Sequence, residues 1–353
     1  MKKLFLILLL TASSIFSQNQ YRLNVNNISL PMDNKGILAA VNIPDPNPVI
    51  SGAGGKFASH VFLFSGGFLL AGYANDTLWA NGVASASLIK DYLPGTVNNE
   101  PTDPKNIIYV VKKNDAAFGQ SWQDWINAVE LGADFYDGNN DGLYNPTDLN
   151  GNNIWDSSED KPAIMGDQMT WCVYNDEVPA TQRRYNTVTP KGIEIQQTVL
   201  AYATGQAPLG NTIFIRYRLI NKGTVVSKLD SVIFGKFADA DLGNASDDLN
   251  GCDTLLNAGF VYNNGPDNEY GANPPAFFMK YLQGPVAYIP GETFIDNNLN
   301  GYYENGIDTP LDTAYNNKGN LFNTQSYPGA KNLGLSSSIK YINSDPILSS
   351  PTN

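Results

Sequence analysis

The sequence predicts a mainly β chain: antiparallel β-sandwich architecture with long Asp/Asn-rich calcium-binding loops and one short helix. Three observations carry this. Short apolar runs alternate with polar residues and are divided by Gly, Pro and Asn clusters, at the spacing of strands rather than of βαβ units. Aromatic residues make up 11% of the 353 residues and charged residues only 16%, so a core can form while Asn, Gly, Ser and Thr supply the polar surface. The acidic residues gather in a few long loops between the runs, and loops of that length in a compact domain are functional or held by a ligand.

The elements follow in chain order. Lys2 and Lys3 precede an apolar run from Leu4 to Leu10, and the small residue Ser17 stands before Gln18. This is the pattern of a secretory signal peptide over residues 1–17. No later run is long and apolar enough for a membrane helix, so the expected location is secreted or cell-surface. Residues 18–55, punctuated by Pro44, Pro46 and Pro48, read as an extended lead-in. A β region with an acidic insert at 133–162 is expected over 56–185, and a sandwich region over 186–353.

Val61–Phe64 and Phe68–Tyr73 predict strands around Ser65-Gly66-Gly67, and Ile107–Val111 another. Ser121–Leu131 is the helix candidate, with Ser121 as a possible cap and Gly132 as its stop. Met169–Tyr174 and Ile193–Ala203 are further strands. Over Thr212–Ile220, alternation puts Ile213, Ile215, Tyr217 and Leu219 on one face and Arg216 and Arg218 on the other. Val232–Phe237, Phe260–Tyr262 and Phe277–Leu282 continue the series. Ser338–Ile342 begins a strand with no closing element after it, which predicts a chain that continues past Asn353.

The acidic insert carries the most specific chemistry. Asp137, Asn139, Asp141, Gly142, Asn145 and Asp148 occupy positions 1, 3, 5, 6, 9 and 12 of a twelve-residue calcium loop, with the Leu143 carbonyl at position 7. Asp148 restarts the count. Asn150, Asn152, Asp156 and Glu159 then fall at positions 3, 5, 9 and 12, with the Ile154 carbonyl at 7 and Asn153 where Gly is usual. Short Asp and Asn side chains at alternate positions of a tight turn bring several hard oxygens to one point, as a calcium ion requires. The overlap at Asp148 and the prolines Pro146 and Pro162 leave no room for flanking helices. On this reading Asp148 serves both loops. A solvated Asn/Asp/Gly turn cluster is the bland alternative.

A third copy runs through Asp296, Asn298, Asn300, Tyr302 and Glu304, with Ile307 at position 12 and Asp308 one place late. A fourth acidic cluster, Asp239, Asp241, Asp247 and Asp248, fits no loop template. It either closes another metal site or caps turns.

A net charge of −12 argues against nucleic-acid binding, which wants a basic stripe. His60 is the one histidine, which excludes a multi-His zinc site, and a packed or edge position suits it best. No nucleophile elbow, zinc-protease or phosphate-loop motif is present. The five tryptophans are either core or a sugar-stacking platform. Cys172 and Cys252 either pair or stay as buried thiols.

The segments Gly142–Asp176 and Phe237–Asn263 resemble recurring stretches of large bacterial surface proteins exported by the type IX secretion system. Their loops are of the EF-hand-like, thrombospondin-type kind. The resemblance spans roughly residues 55 to 345. It implies a surface or secreted, β-rich, calcium-stabilised protein and implies no activity. The expected function is therefore a calcium-binding structural or adhesive protein, with calcium and a surface glycan or protein as partners. The alternative is an extracellular hydrolase of polysaccharide or peptide, or its accessory module, in which calcium is only structural.

Overall fold

The computed structural model describes residues 18–82, 91–287, 294–310, 331–341 and 351–352. The expected signal peptide lies outside them. The chain opens with β1 (Gln20–Leu23), β2 (Ile28–Asp33), β3 (Gly55–Phe57) and β4 (His60–Leu63), which form one antiparallel sheet in that order. Two longer strands follow, β5 (Ser65–Ala74) and β6 (Thr77–Gly82). Then come the short β7 (Leu93–Pro94), β8 (Tyr109–Lys112), the helix α1 (Gln120–Glu130), the ribbon strands β9 (Phe135–Tyr136) and β10 (Lys161–Pro162), and β11 (Gln168–Asn175). The remaining long strands are β12 (Ile193–Ala201), β13 (Phe214–Asn221), β14 (Asp230–Asp239), β15 (Asp248–Asp253), β16 (Ala258–Asn263) and β17 (Phe277–Lys280).

The fold is mainly β, as expected. Its centre is a five-stranded antiparallel sheet in which β13, β12 and β11 lie side by side and both β7 and β8 pair with β11. Every residue of β11 and β12 is buried. A strand covered on both faces needs apolar or satisfied side chains at every position, and the run Met169-Thr170-Trp171-Cys172-Val173-Tyr174 supplies them. Cys172, Tyr174, Ile193 and Ile195 face the larger core, with Leu23, Met32, Phe68, Leu70 and Trp79 from the strands before β7. Phe68 of β5 joins the layers, its ring 5.1 Å from Tyr217 and 6.3 Å from Tyr174.

On the far face, Met169, Trp171 and Val173 meet α1. The helix buries Trp122, Trp125 and Ala128, residues three apart and so on one side. It starts at Gln120, one residue before the expected Ser121, and its N-cap is Gly119, with no side-chain cap. The alternation read in β13 holds: Ile215, Tyr217 and Leu219 pack on the larger core, while Arg216 and Arg218 reach Asp134 on the α1 side at 3.3 and 3.5 Å.

Three expectations change. Residues 18–55 are not merely a lead-in, because Leu23, Leu30 and Met32 are core residues and β2 pairs with β3. No boundary falls between 185 and 186, since β11 pairs with β12 along its whole length and β5 with β14. Ser65-Gly66-Gly67 lies inside β5 rather than between strands, held by β14 partners at each of its positions.

Charged groups are fastened where β11 ends. The fully buried Asp176 accepts the Ile193 N–H at 2.8 Å, the Lys191 N–H at 2.7 Å and the Asn81 side-chain amide at 3.2 Å. Arg183, also buried, donates to the Asp176 and Val178 carbonyls and to Asn81 Oδ1. Asp91 accepts the N–H groups of Gly82 and Arg184, each at 2.8 Å. Together these bonds tie the end of β6 to the β11–β12 connection. The two cysteines are both unpaired, Cys172 buried and Cys252 exposed. No helix among the described residues is long and apolar enough to cross a membrane.

Candidate metal centre

The acidic insert is the head of a ribbon. Tyr136 pairs with Lys161 and Phe135 with Pro162, so Asp137 and Asp160 stand at the two ends of a closed segment. Within it the N–H groups turn inward onto carboxylates in a repeating pattern. Asp137 at position 1 accepts the Asp141 N–H at 3.2 Å and the Gly142 N–H at 2.9 Å. Asn139 Oδ1 accepts the Asp141 N–H, and Asp141 Oδ1 the Leu143 N–H. The second loop repeats this: Asp148 accepts N–H groups from Asn150 to Asn153, Asn150 Oδ1 accepts that of Asn152, and Asn152 Oδ1 that of Ile154. Four such donors, that of Asn153 foremost, hold the Asp148 carboxyl below its ordinary 3.8.

Each loop is then shut by one carboxylate that bridges the N–H groups of positions 2 and 9. In the second loop this is Glu159, on Leu149 at 2.7 Å and Asp156 at 2.8 Å. In the first loop it is Asp160, on Gly138 at 3.0 Å and Asn145 at 2.8 Å. The sequence template put Asp148 there. All the hydrogen bonds of Asp148 stay in its own loop, because the β9–β10 pairing delivers Asp160 beside Asp137. The third copy has the same plan. Phe294–Ile295 pairs with Thr309–Pro310, and Asp308 bridges Asn297 at 3.0 Å and Glu304 at 2.6 Å. The late acid is therefore the closing one, and Ile307 at the template's position 12 is exposed. Asp296 and Asn300 repeat the inner bonds.

The backbone follows the same rule. Positions 4 and 6 have positive φ in all three loops: Asn140 and Gly142, Gly151 and Asn153, Leu299 and Gly301. Asn153 at φ 58° takes the left-handed turn that Gly makes elsewhere, as short polar side chains tolerate. Gly138 is needed for closeness instead: a Cβ there would collide with the Glu159 backbone nitrogen and oxygen.

Side chains at positions 3, 5 and 9 meet. Asn150 and Asn152 both point Nδ2 at one Asp156 oxygen, at 2.6 and 3.3 Å. Asn298 and Asn300 do the same to Glu304, at 2.5 and 2.6 Å. In the first loop Asn139 Nδ2 turns to Asp141 at 2.9 Å. The oxygen and nitrogen of an amide exchange places by a half-turn, so the same side chains can offer oxygens to a cation. Among the described residues no three His, Cys, Asp or Glu side chains stand together as a metal-holding group. The loops instead mix acids with Asn amides and carbonyls.

Position 8 is the feature that reading by template missed. It is aromatic in every copy and packs onto its own ribbon: Tyr144 on Phe135 at 5.3 Å, Trp155 on Tyr136 at 5.5 Å, and Tyr303 on Phe294 at 5.4 Å. Its neighbour at position 7, which serves through its carbonyl, is exposed: Leu143, Ile154 and Tyr302.

The fourth cluster is not a loop of this kind. Asp248 accepts the Leu242 N–H at 3.0 Å, and Asn263 donates to both Asp247 and Asp248. Burial, then Asp239 and Asp248, raise the Asp241 carboxyl to about 6; burial also raises that of Asp239. His60 sits at a sheet edge, 3.5 Å from Glu269 and packed on Tyr270. Trp79, Trp122, Trp125 and Trp171 are core, and Trp155 is half-buried.

No family model, no curated protein and no solved structure matches this chain.

Proposed function

We propose that the chain is an exported structural or adhesive β protein whose three acidic loops are ordered by calcium. One observation carries this reading. Glu159, Asp160 and Asp308, the three closing carboxylates, are 2%, 2% and 6% exposed, yet no salt bridge among the described residues reaches any of them. Between Asp137 and Asp160 there are six acids and no Lys, Arg or His. Buried negative charge is costly unless a cation answers it. Asp, Asn and backbone oxygens in twelve-residue loops are the donor set of a hard dication.

Asp137, Asn139, Asp141, the Leu143 carbonyl and Asn145 would hold the ion of the first loop. Asp148, Asn150, Asn152, the Ile154 carbonyl and Asp156 would hold that of the second, and Asp296, Asn298, Asn300, the Tyr302 carbonyl and Glu304 that of the third. Bound calcium supplies charge balance and cross-linking rather than chemistry. Extracellular sites of this kind bind at about 10⁻⁴ to 10⁻³ M, so the ion is a standing part of the fold wherever calcium is millimolar.

The test is a thermal melt with EDTA and with 1 mM calcium. A site with a dissociation constant near 10⁻⁴ M contributes about 1.4 kcal/mol at 1 mM, which raises the melting temperature by a few degrees. Coincident melting curves overturn the reading.

A further inference from the structure

We infer that the groove between α1, the second acidic loop and the end of β12 binds a carboxylated saccharide, a uronate-bearing glycan. It encloses about 530 Å³, within the size range of small-ligand sites. Trp122, Trp155 and Tyr202 line it, with Lys113, Lys161 and Asp167 among the polar groups.

Three features define the ligand. First, the half-buried Tyr202 and the face of Trp155 away from Lys161 suit the C–H face of a pyranose, with the buried Trp122 behind them. Second, hydrogen-bonding groups are ready at the walls. Asp167 is already answered by Lys113 at 3.4 Å and by the Ala203 N–H at 2.9 Å, and its spare lone pairs can accept hydroxyls.

Third, Lys161 is a cation without an anion. Its ammonium lies 3.4 Å over the Trp155 ring and 5.6 Å from that of Tyr136. It enters no salt bridge among the described residues, in a chain of net charge −12. A neutral sugar leaves it unanswered. A polyphosphate meets Asp167 and the acidic chain around it. A sugar with one carboxylate per ring matches both the ammonium and the hydroxyl-accepting acids.

The acidic loops set the frame, since Trp155 is the position-8 residue of the second and Lys161 directly follows Asp160. The inference deepens the adhesive reading and rests on it for where such a glycan is met.

The experiment titrates the full chain with tri-galacturonic acid and with its methyl ester, by calorimetry and tryptophan fluorescence, in 1 mM calcium and again in EDTA. Saturable binding is expected for the acid, weakened about tenfold by esterification and about tenfold by Lys161→Gln, as the loss of one charge-assisted bond predicts. Absent binding, equal affinity for acid and ester, or an unaffected Lys161→Gln variant overturns the inference. Uronate binding by a chain whose melting ignores calcium would uphold the groove and sink only the calcium reading. A chain whose melting responds to calcium but which fails to bind uronate has the reverse meaning.

Discussion

The Asp160 carboxylate accepts the Gly138 N–H at 3.0 Å across 22 residues of chain, so the last acid of the insert is fastened to its second residue. Asp148, by contrast, bonds only to Asn150, Gly151, Asn152 and Asn153. The two acids therefore have separate jobs. Asp148→Ala should remove one calcium ion from the calorimetric stoichiometry, that of the second loop. Asp160→Ala should remove the ion of the first. If Asp148→Ala abolishes both at once, the shared-ligand arrangement of the bare sequence template is restored and the closing role of Asp160 is lost.

Gly138 and Gly142 separate closeness from conformation. A Cβ at 138 collides with the Glu159 backbone, whereas at 142 it meets nothing within 4 Å and only the positive φ of 78° resists. Gly142→Ala should thus cost about 1 kcal/mol. Gly138→Ala must pry the two loops apart and break the Asp160 bridge, with an expected loss of about 2–3 kcal/mol. Urea midpoints of the two variants decide it, and equal losses would mean that the contact is slack.

How far this was legible in the sequence depended on range. The inner bonds of each loop span two to five residues, so Asp137, Asn139, Asp141 and Gly142 could be placed by counting alone. The faces of β13 were likewise visible, since Arg216 and Arg218 alternate with Tyr217 and Leu219. Closure by Asp160 was not, because it needs Tyr136 to pair with Lys161, a contact that no local spacing encodes. The strands β1 and β2 were hidden by polar residues such as Arg22 and Ser29, which bond to each other at 2.8 Å and so can be buried. The position-8 aromatics Tyr144, Trp155 and Tyr303 were in plain sight. Their meaning emerged only when each was seen on its ribbon.

Asp241 gives a pH signature. Its carboxyl is raised to about 6 by burial, then by Asp239 and Asp248. The ionised form is therefore disfavoured in the fold, and stability present below the ordinary 3.8 is lost as pH rises through about 6. In calcium-free buffer Asp241→Asn should stabilise by about 1 kcal/mol at pH 7.5, discounted for solvent screening, and by nothing at pH 4. In calcium the gain should vanish or reverse if the cluster takes a cation. A variant no more stable than the parent at pH 7.5 without calcium would refute the buried-charge account.

Arg183 tests the join between the sheets. Its guanidinium answers the Asp176 carbonyl at 2.5 Å, the Val178 carbonyl at 3.3 Å and Asn81 Oδ1, while Asn81 also bonds the Asp176 carboxylate. Arg183→Met keeps the bulk and strips those acceptors of their donor. Buried acceptors left without a donor cost about 1–3 kcal/mol each, so the variant should lose several kcal/mol. Lys105→Gln is the control, because its pair with Glu130 is 42% and 54% exposed and such solvent-screened pairs contribute little. Urea unfolding of both variants should therefore differ severalfold in effect. Equal losses would mean that β6 and β11 are held by the apolar contacts of Trp79 and Tyr174 alone, with Arg183 a passenger.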